Sequence, residues 1–313
     1  MRIYTLAIAL LICTNTQAQI IRAEPFYIAP EAAGAYSYLI DDYPGAAAAY
    51  SLRKLDNNYA GSAIRVRRKS DNTEQDIGFT NNYLDTTSLK TFVGTGATDT
   101  AWVVTWYNQA DSSGVFGVRN LSQSTASNQP LIYAGGVFRT NDEGFINIES
   151  DGVNDVMANT TRIFTSDLSA FIVTDPKNLT TIPAGIVNQA LTGDAGRLFL
   201  YGKRTNPTNM SGGFQIGSVF IEDTSLPSSV TSLHYYNRAS NAMTYSIDGN
   251  AEKTGTSSNN ITNTFLQAFA TVRSGSTSEY TRQGVSEIIC YSSSQSSNKS
   301  GITANINSFY SIY

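Results

Sequence analysis

Ser232-Leu233-His234-Tyr235-Tyr236-Asn237, followed after a short polar link by Ala242-Met243-Thr244-Tyr245-Ser246-Ile247 and at once by Asp248-Gly249, is the stretch on which the fold turns. Two runs rich in aromatic and β-branched residues read as strands, and an Asp-Gly pair tolerates the positive φ that a tight turn demands. Working outward, the same pattern recurs on both sides: 169–174, 184–188, 197–201 and 213–220 before it, 265–273 and 285–291 after it. Short strands at this spacing, divided by Gly, Ser, Thr and Asn, predict an all-β antiparallel sandwich rather than an alternating β/α fold.

The first half is more mixed. Residues 45–55 hold a run of alanines and read as helical on propensity. Ala63-Ile64-Arg65-Val66-Arg67 alternates apolar with basic residues and, with Gln75-Asp76-Ile77-Gly78-Phe79, predicts a hairpin. Residues 84–93 predict a short helix capped by Asp85 or Thr86 and ended by Gly94, and 101–107 predict a buried strand. At the end, Ile302, Ile306, Phe309, Tyr310 and Tyr313 recur at helical spacing behind the cap candidates Ser296, Ser297 and Asn298, so a C-terminal helix closes the fold. No linker bias or fixed-period repeat divides the chain, which predicts one domain over 45–313 behind an extension at 19–44, with 147–155 as the seam if there are two.

Composition narrows the function classes. Charged residues make up 15% of the 313, and 25 acids against 21 bases leave a net charge of −4 spread along the chain, so no footprint for nucleic acid exists. Arg2, the apolar run Leu6 to Cys13 and Thr16-Gln17-Ala18 have the order of an export signal, which predicts cleavage after Ala18 and a secreted or surface location. No other stretch has the length of a membrane span. Cleavage leaves Cys290 as the one cysteine, so core area rather than an internal disulfide has to stabilise the mature chain.

Particular residues carry a resemblance. Ala49-Tyr50-Ser51-Leu52-Arg53, Gly61 to Arg68 with Ser70 to Phe79, and Thr105-Trp106-Tyr107-Asn108-Gln109 resemble the opening of the catalytic β-sandwich of fungal-type α-L-arabinofuranosidases, a pattern shared with secreted bacterial and phage-encoded proteins. Glu149 to Asp155, Glu287 to Tyr291 and Asn305 to Tyr310 look like laminin-G-like domains of bacterial surface proteins. The resemblance implies a concanavalin-like jelly roll with short peripheral helices. It also implies an Asp-x-Glu-Asn nucleophile stretch, adjacent cysteines and a late aspartate acid, and this chain departs from all three. Gly213 to Ser218 and Arg273 to Ser276, the comparable regions, contain no acid, while glycoside hydrolysis ordinarily needs two carboxyl groups.

The remaining candidates are few. His234, the one histidine, reads as a partly exposed strand residue, and the His and Cys counts exclude metal sites built on those ligands. Oxygen-rich turns at Asp71 to Asp76 and Asp151 to Asp155 make calcium the one cation the sequence admits, through Asp71, Asp76, Asp151 and Asp155, although Asx turns use the same residues. Arg65, Arg67, Arg68 and Lys69 face Asp71, Glu74 and Asp76 across the hairpin and read as cross-strand ion pairs. Trp106, Tyr107, Tyr235 and Tyr236 are the rings nominated to stack on sugar, at most one of each adjacent pair facing a ligand. No cofactor is implied. The leading reading is a non-catalytic glycan-binding or adhesion module whose partner is a polysaccharide or cell-surface glycan. Two others stay open: a phage virion protein with virion neighbours or self-association, and a divergent glycosidase using Glu222, Asp223 or Glu279.

Overall fold

A computed structural model describes residues 37–110, 119–161, 163–164, 166–177, 184–189, 199–202, 210–226, 230–259, 261, 266–273, 276–278 and 280–313. The expected export signal and most of the expected N-terminal extension lie outside them. One sheet runs, antiparallel throughout, in the order Lys253–Thr256, Ala242–Ile247, Ser232–Ala239, Leu168–Pro176, Gln283–Tyr291, Ala46–Ser51. The other starts at Glu74–Ile77, Ile64–Arg68 and Thr100–Trp106. It continues through Leu121–Ser122, Met157–Ala158, Leu266–Ala268, Ala184–Gln189, Phe199–Gly202, Met210–Ile216 and Val219–Leu226. Between 147 and 155, the short strand Ile148–Glu149 bonds Leu131 on one side and Gly284 and Val285 on the other, so it stitches the two sheets together.

Apolar side chains from both sheets meet in one core: Tyr50, Ile172, Tyr236 and Ile288 from the first, Val66, Val103, Trp106 and Leu266 from the second. A second core covers the outer face of the first sheet, where Ala49, Phe171, Tyr235, Ile289 and Tyr291 pack under Ile302, Ile306 and Tyr310 of the C-terminal helix Lys299–Tyr310. Being covered on both sides, all nine residues of Leu168–Pro176 and of Gln283–Tyr291 are buried, and alternation disappears from their burial.

Several sequence expectations change. Residues 46–51 form a strand rather than a helix, because Ala48 and Ala49 pair with Cys290 and Ile289 and tertiary pairing overrides alanine's helical preference. The expected strand 213–220 is two strands, Met210–Ile216 and Val219–Leu226, broken at Gly217 with φ +63°. Tyr313 lies beyond the C-terminal helix and is 53% exposed. The helix Thr86–Val93 is capped as read, the Asp85 carboxylate accepting the Ser88 N–H at 2.9 Å. Asp248 and Gly249 both take positive φ in the turn between Ala242–Ile247 and Lys253–Thr256. Among the described residues no helix is long and apolar enough to cross a membrane.

Candidate functional site

Cross-strand register builds a row of side chains on the outer face of the second sheet. Arg67 pairs with Trp102, Trp102 with Leu131, and Leu131 with Glu149. At about 4.8 Å per strand, these four side chains floor a groove roughly 14 Å long across the strands. Trp102 faces outward while Trp106, four residues later, faces the core. The reason is a bulge: Val66 pairs with Val103 and Arg65 with Thr105, leaving Val104 without a counterpart on Ile64–Arg68 and inverting the facing of everything beyond it.

The groove opens into a cleft of about 430 Å³, walled by the segment 126–129 and by the Asp151–Asp155 turn, with Arg139 and Arg282 at its side. Arg67 holds the indole in place. Its guanidinium carbon lies 4.5 Å from the Trp102 ring centroid, and it donates to Gln129 Oε1 at 2.7 Å, Asn72 Oδ1 at 2.8 Å and the Ala126 carbonyl at 3.1 Å. In the turn, Asp151 Oδ1 accepts the N–H groups of Val153 and Asn154, and Asp155 Oδ2 accepts that of Asp151 at 2.8 Å. Burial pushes the Asp155 carboxyl up to about 7, against the pull of that N–H and with the Asp151 charge adding to the rise. The cleft therefore places one indole, three guanidiniums and the carboxylates of Glu149, Asp151 and Asp155 around one space. That is the equipment for holding a polar ring, its face on the indole and its hydroxyls on the charged groups.

The rings nominated from sequence lie elsewhere. Trp106 is 0% exposed with the Tyr50 ring 6.0 Å away, and Tyr236 is 0% exposed among Phe214, Tyr245 and His234. Tyr235 is 2% exposed between Phe171 and Lys299 of the C-terminal helix. Rings without free surface cannot stack on sugar, so these three are packing residues. Tyr107 alone is partly exposed, with its hydroxyl donated to Asp76. His234 is likewise buried, between Thr174 and Tyr245, rather than partly exposed.

Among the nominated cation ligands, Asp76 gives both oxygens to Arg65 and Asp71 gives both to Arg68, as the cross-strand reading of the hairpin expects for the first pair. Asp151 and Asp155 line the cleft instead. Asp223 is buried, with Lys253 3.9 Å away; Glu279 lies outside the described residues.

No family model and no curated protein matches the chain. Solved structures do. An arabinofuranosidase complexed with arabinofuranosyl-α-1,2-xylobiose superposes with a TM-score of 0.66 at 14% identity, over 87% of this chain and 64% of that one. A GH54 α-L-arabinofuranosidase soaked with a cyclic sulfate inhibitor gives a TM-score of 0.62, also at 14% identity and with the same coverage. The chain has the arabinofuranosidase-type β-sandwich fold. It spans about 64% of the length of those enzymes, and at this identity the likeness concerns architecture.

Proposed function

We propose that the protein is an exported glycan-binding β-sandwich that holds a polysaccharide or cell-surface glycan across the cleft between Arg67 and Asp155 without cleaving it. The observation that carries this reading is the cross-strand row Arg67, Trp102, Leu131 and Glu149, which sets an arginine-clamped indole in the floor of a polar groove. Support comes from a fold shared with an enzyme solved with a bound arabinofuranosyl xylobiose. The non-cleaving part rests on Gly213 to Ser218 and Arg273 to Ser276, which lack acids where the resemblance would put them. Export rests on the order of the first eighteen residues, and mass spectrometry of the secreted N-terminus should find Gln19 first.

Affinity electrophoresis against arabinan, xylan, pectin and host-surface glycans, run beside a product assay, tests both halves. Retardation without product is the expected result. Turnover abolished by a single carboxylate substitution would overturn the non-catalytic half, and absence of retardation on every glycan would favour a structural role such as a virion component.

A further inference from the structure

Three arginines line the cleft, and they are not equally engaged. Arg67 spends its donors on neutral oxygens of Gln129, Asn72 and Ala126. Arg282 has a side chain 52% exposed and comes no nearer to Glu149 than 3.9 Å, beyond hydrogen-bond length. Arg139 has its Nε buried with no hydrogen-bond partner among the described residues. That Nε is shut off from any ligand, so what the cleft offers is the rest of the Arg139 guanidinium together with that of Arg282, neither closed into an ion pair of hydrogen-bond length among the described residues.

Of the three acids lining the cleft, Glu149 stays 3.9 Å from Arg282, and the other two are engaged elsewhere. Asp151 and Asp155 are turned into their own turn, accepting backbone N–H groups. The turn is seated on Arg282: a Cβ at Gly152 would lie 3.0 Å from the backbone nitrogen and the Cβ of Arg282, so only a glycine with φ +78° lets the two segments approach this closely.

We propose that the glycan held here bears carboxylates, as a uronate-containing polysaccharide does, with Arg139 and Arg282 receiving the carboxylate while Trp102 carries the sugar ring. This rests on the glycan-binding reading of the same cleft and narrows it to a ligand class. A guanidinium is a planar fork of donors that matches a carboxylate in two parallel bonds, whereas a neutral sugar offers only single hydroxyl oxygens to it. The chain's net charge of −4 gives no general attraction for polyanions, so recognition is local to these arginines.

The test is affinity electrophoresis of the full chain in gels containing polygalacturonate, its methyl ester, arabinan or dextran sulfate, with a sialylated oligosaccharide as a soluble competitor to separate uronate from other carboxylated sugars. Retardation should be about tenfold stronger for polygalacturonate than for its ester, and Arg282→Gln should lose about tenfold of it while Arg65→Gln, outside the cleft, keeps it. Arg139→Gln should behave as Arg282→Gln does, and Arg139→Lys, which retains the charge but not the fork, should recover only part of the binding. Because Arg282 is largely exposed, its variant keeps the test valid if Arg139→Gln fails to fold.

Equal retardation by acid and ester, or by dextran sulfate and polygalacturonate, would overturn the carboxylate assignment and leave the cleft's sugar binding standing. Retention on arabinan that the sialylated competitor relieves, with none on polygalacturonate, would overturn the uronate assignment. Retention on none of these would overturn the carboxylate assignment, and failure on xylan and host-surface glycans as well would overturn the glycan-binding reading with it.

Discussion

Arg53 and Glu287 form a buried two-bonded ion pair beneath the C-terminal helix, Nε to Oε2 at 2.7 Å and Nη2 to Oε1 at 2.8 Å, with side chains 2% and 0% exposed. Ser51 and Tyr310 add hydroxyl bonds to Glu287, and Asn305 accepts from Arg53, so edge strand, central strand and helix are joined at one point. Removing one partner strands a charge in the interior. Glu287→Ala should therefore cost about 3–5 kcal/mol in urea unfolding. Asp76→Ala, at the exposed pair with Arg65, should cost about 1 kcal/mol or less. Similar losses at the two sites would show that burial does not set the strength of these pairs.

Asp155 links the cleft to pH. Its folded carboxyl titrates near 7, above the ordinary carboxylate range, so its contribution to stability is fully present in acid and is lost as pH rises through about 7. Asp155→Asn removes the titration while keeping an acceptor for the Asp151 N–H. The variant should be the more stable of the two at pH 8, with its advantage shrinking as pH falls below about 7 and gone only near the unfolded carboxylate's own pKa, about 4. Thermal melts of both proteins across this range decide the matter, and parallel curves would contradict the shifted titration.

His234 works in the opposite sense. Burial lowers its imidazole to about 3, with Thr174 Oγ1 3.0 Å from one ring nitrogen and the Tyr245 hydroxyl 3.1 Å from the other. Its stabilising share is present above the ordinary histidine range and declines as pH falls toward 3. As the one histidine of the chain it gives a clean proton NMR signal, which should not move between pH 8 and 5. A midpoint near 6.5 would place the ring in water.

Cys290 sits fully buried between Ala48 and Ala170 on the neighbouring strands, and burial raises its thiol well above the usual range. Native protein should resist thiol reagents until it unfolds. Cys290→Ala should cost about 1 kcal/mol or somewhat more, as a small core truncation does. Rapid labelling of the native chain would contradict the packing.

The hairpin at 64–77, the Asp85 cap, the Asp248-Gly249 turn and the C-terminal helix were legible because each rests on local chemistry: alternation, an N-cap oxygen, a positive φ, helical spacing. The strand 46–51 was not, since its pairing partner lies more than two hundred residues away. The cleft was missed for a related reason. Alternation read straight along Thr100–Trp106 puts Trp102 and Trp106 on one face, and only the bulge at Val104 separates them. A covering helix, also distant in sequence, hides Tyr235 as thoroughly as the inter-sheet core hides Tyr236. What the sequence did offer was the identity of Trp102 itself, outward beside Ala101 and Val103, both of which are buried.

The chain contains two tryptophans, Trp102 half-buried in the cleft floor and Trp106 wholly in the core, so intrinsic fluorescence reports on the cleft through Trp102. The most direct measurement is a fluorescence titration of the parent and Trp102→Phe with whichever polysaccharide retards the parent in a gel. A saturable change in the parent that vanishes in Trp102→Phe, with that variant's affinity little altered because a ring remains, is the predicted result. A change that persists undiminished in Trp102→Phe, or retardation of the parent with no change at all, would contradict the cleft as the site of binding.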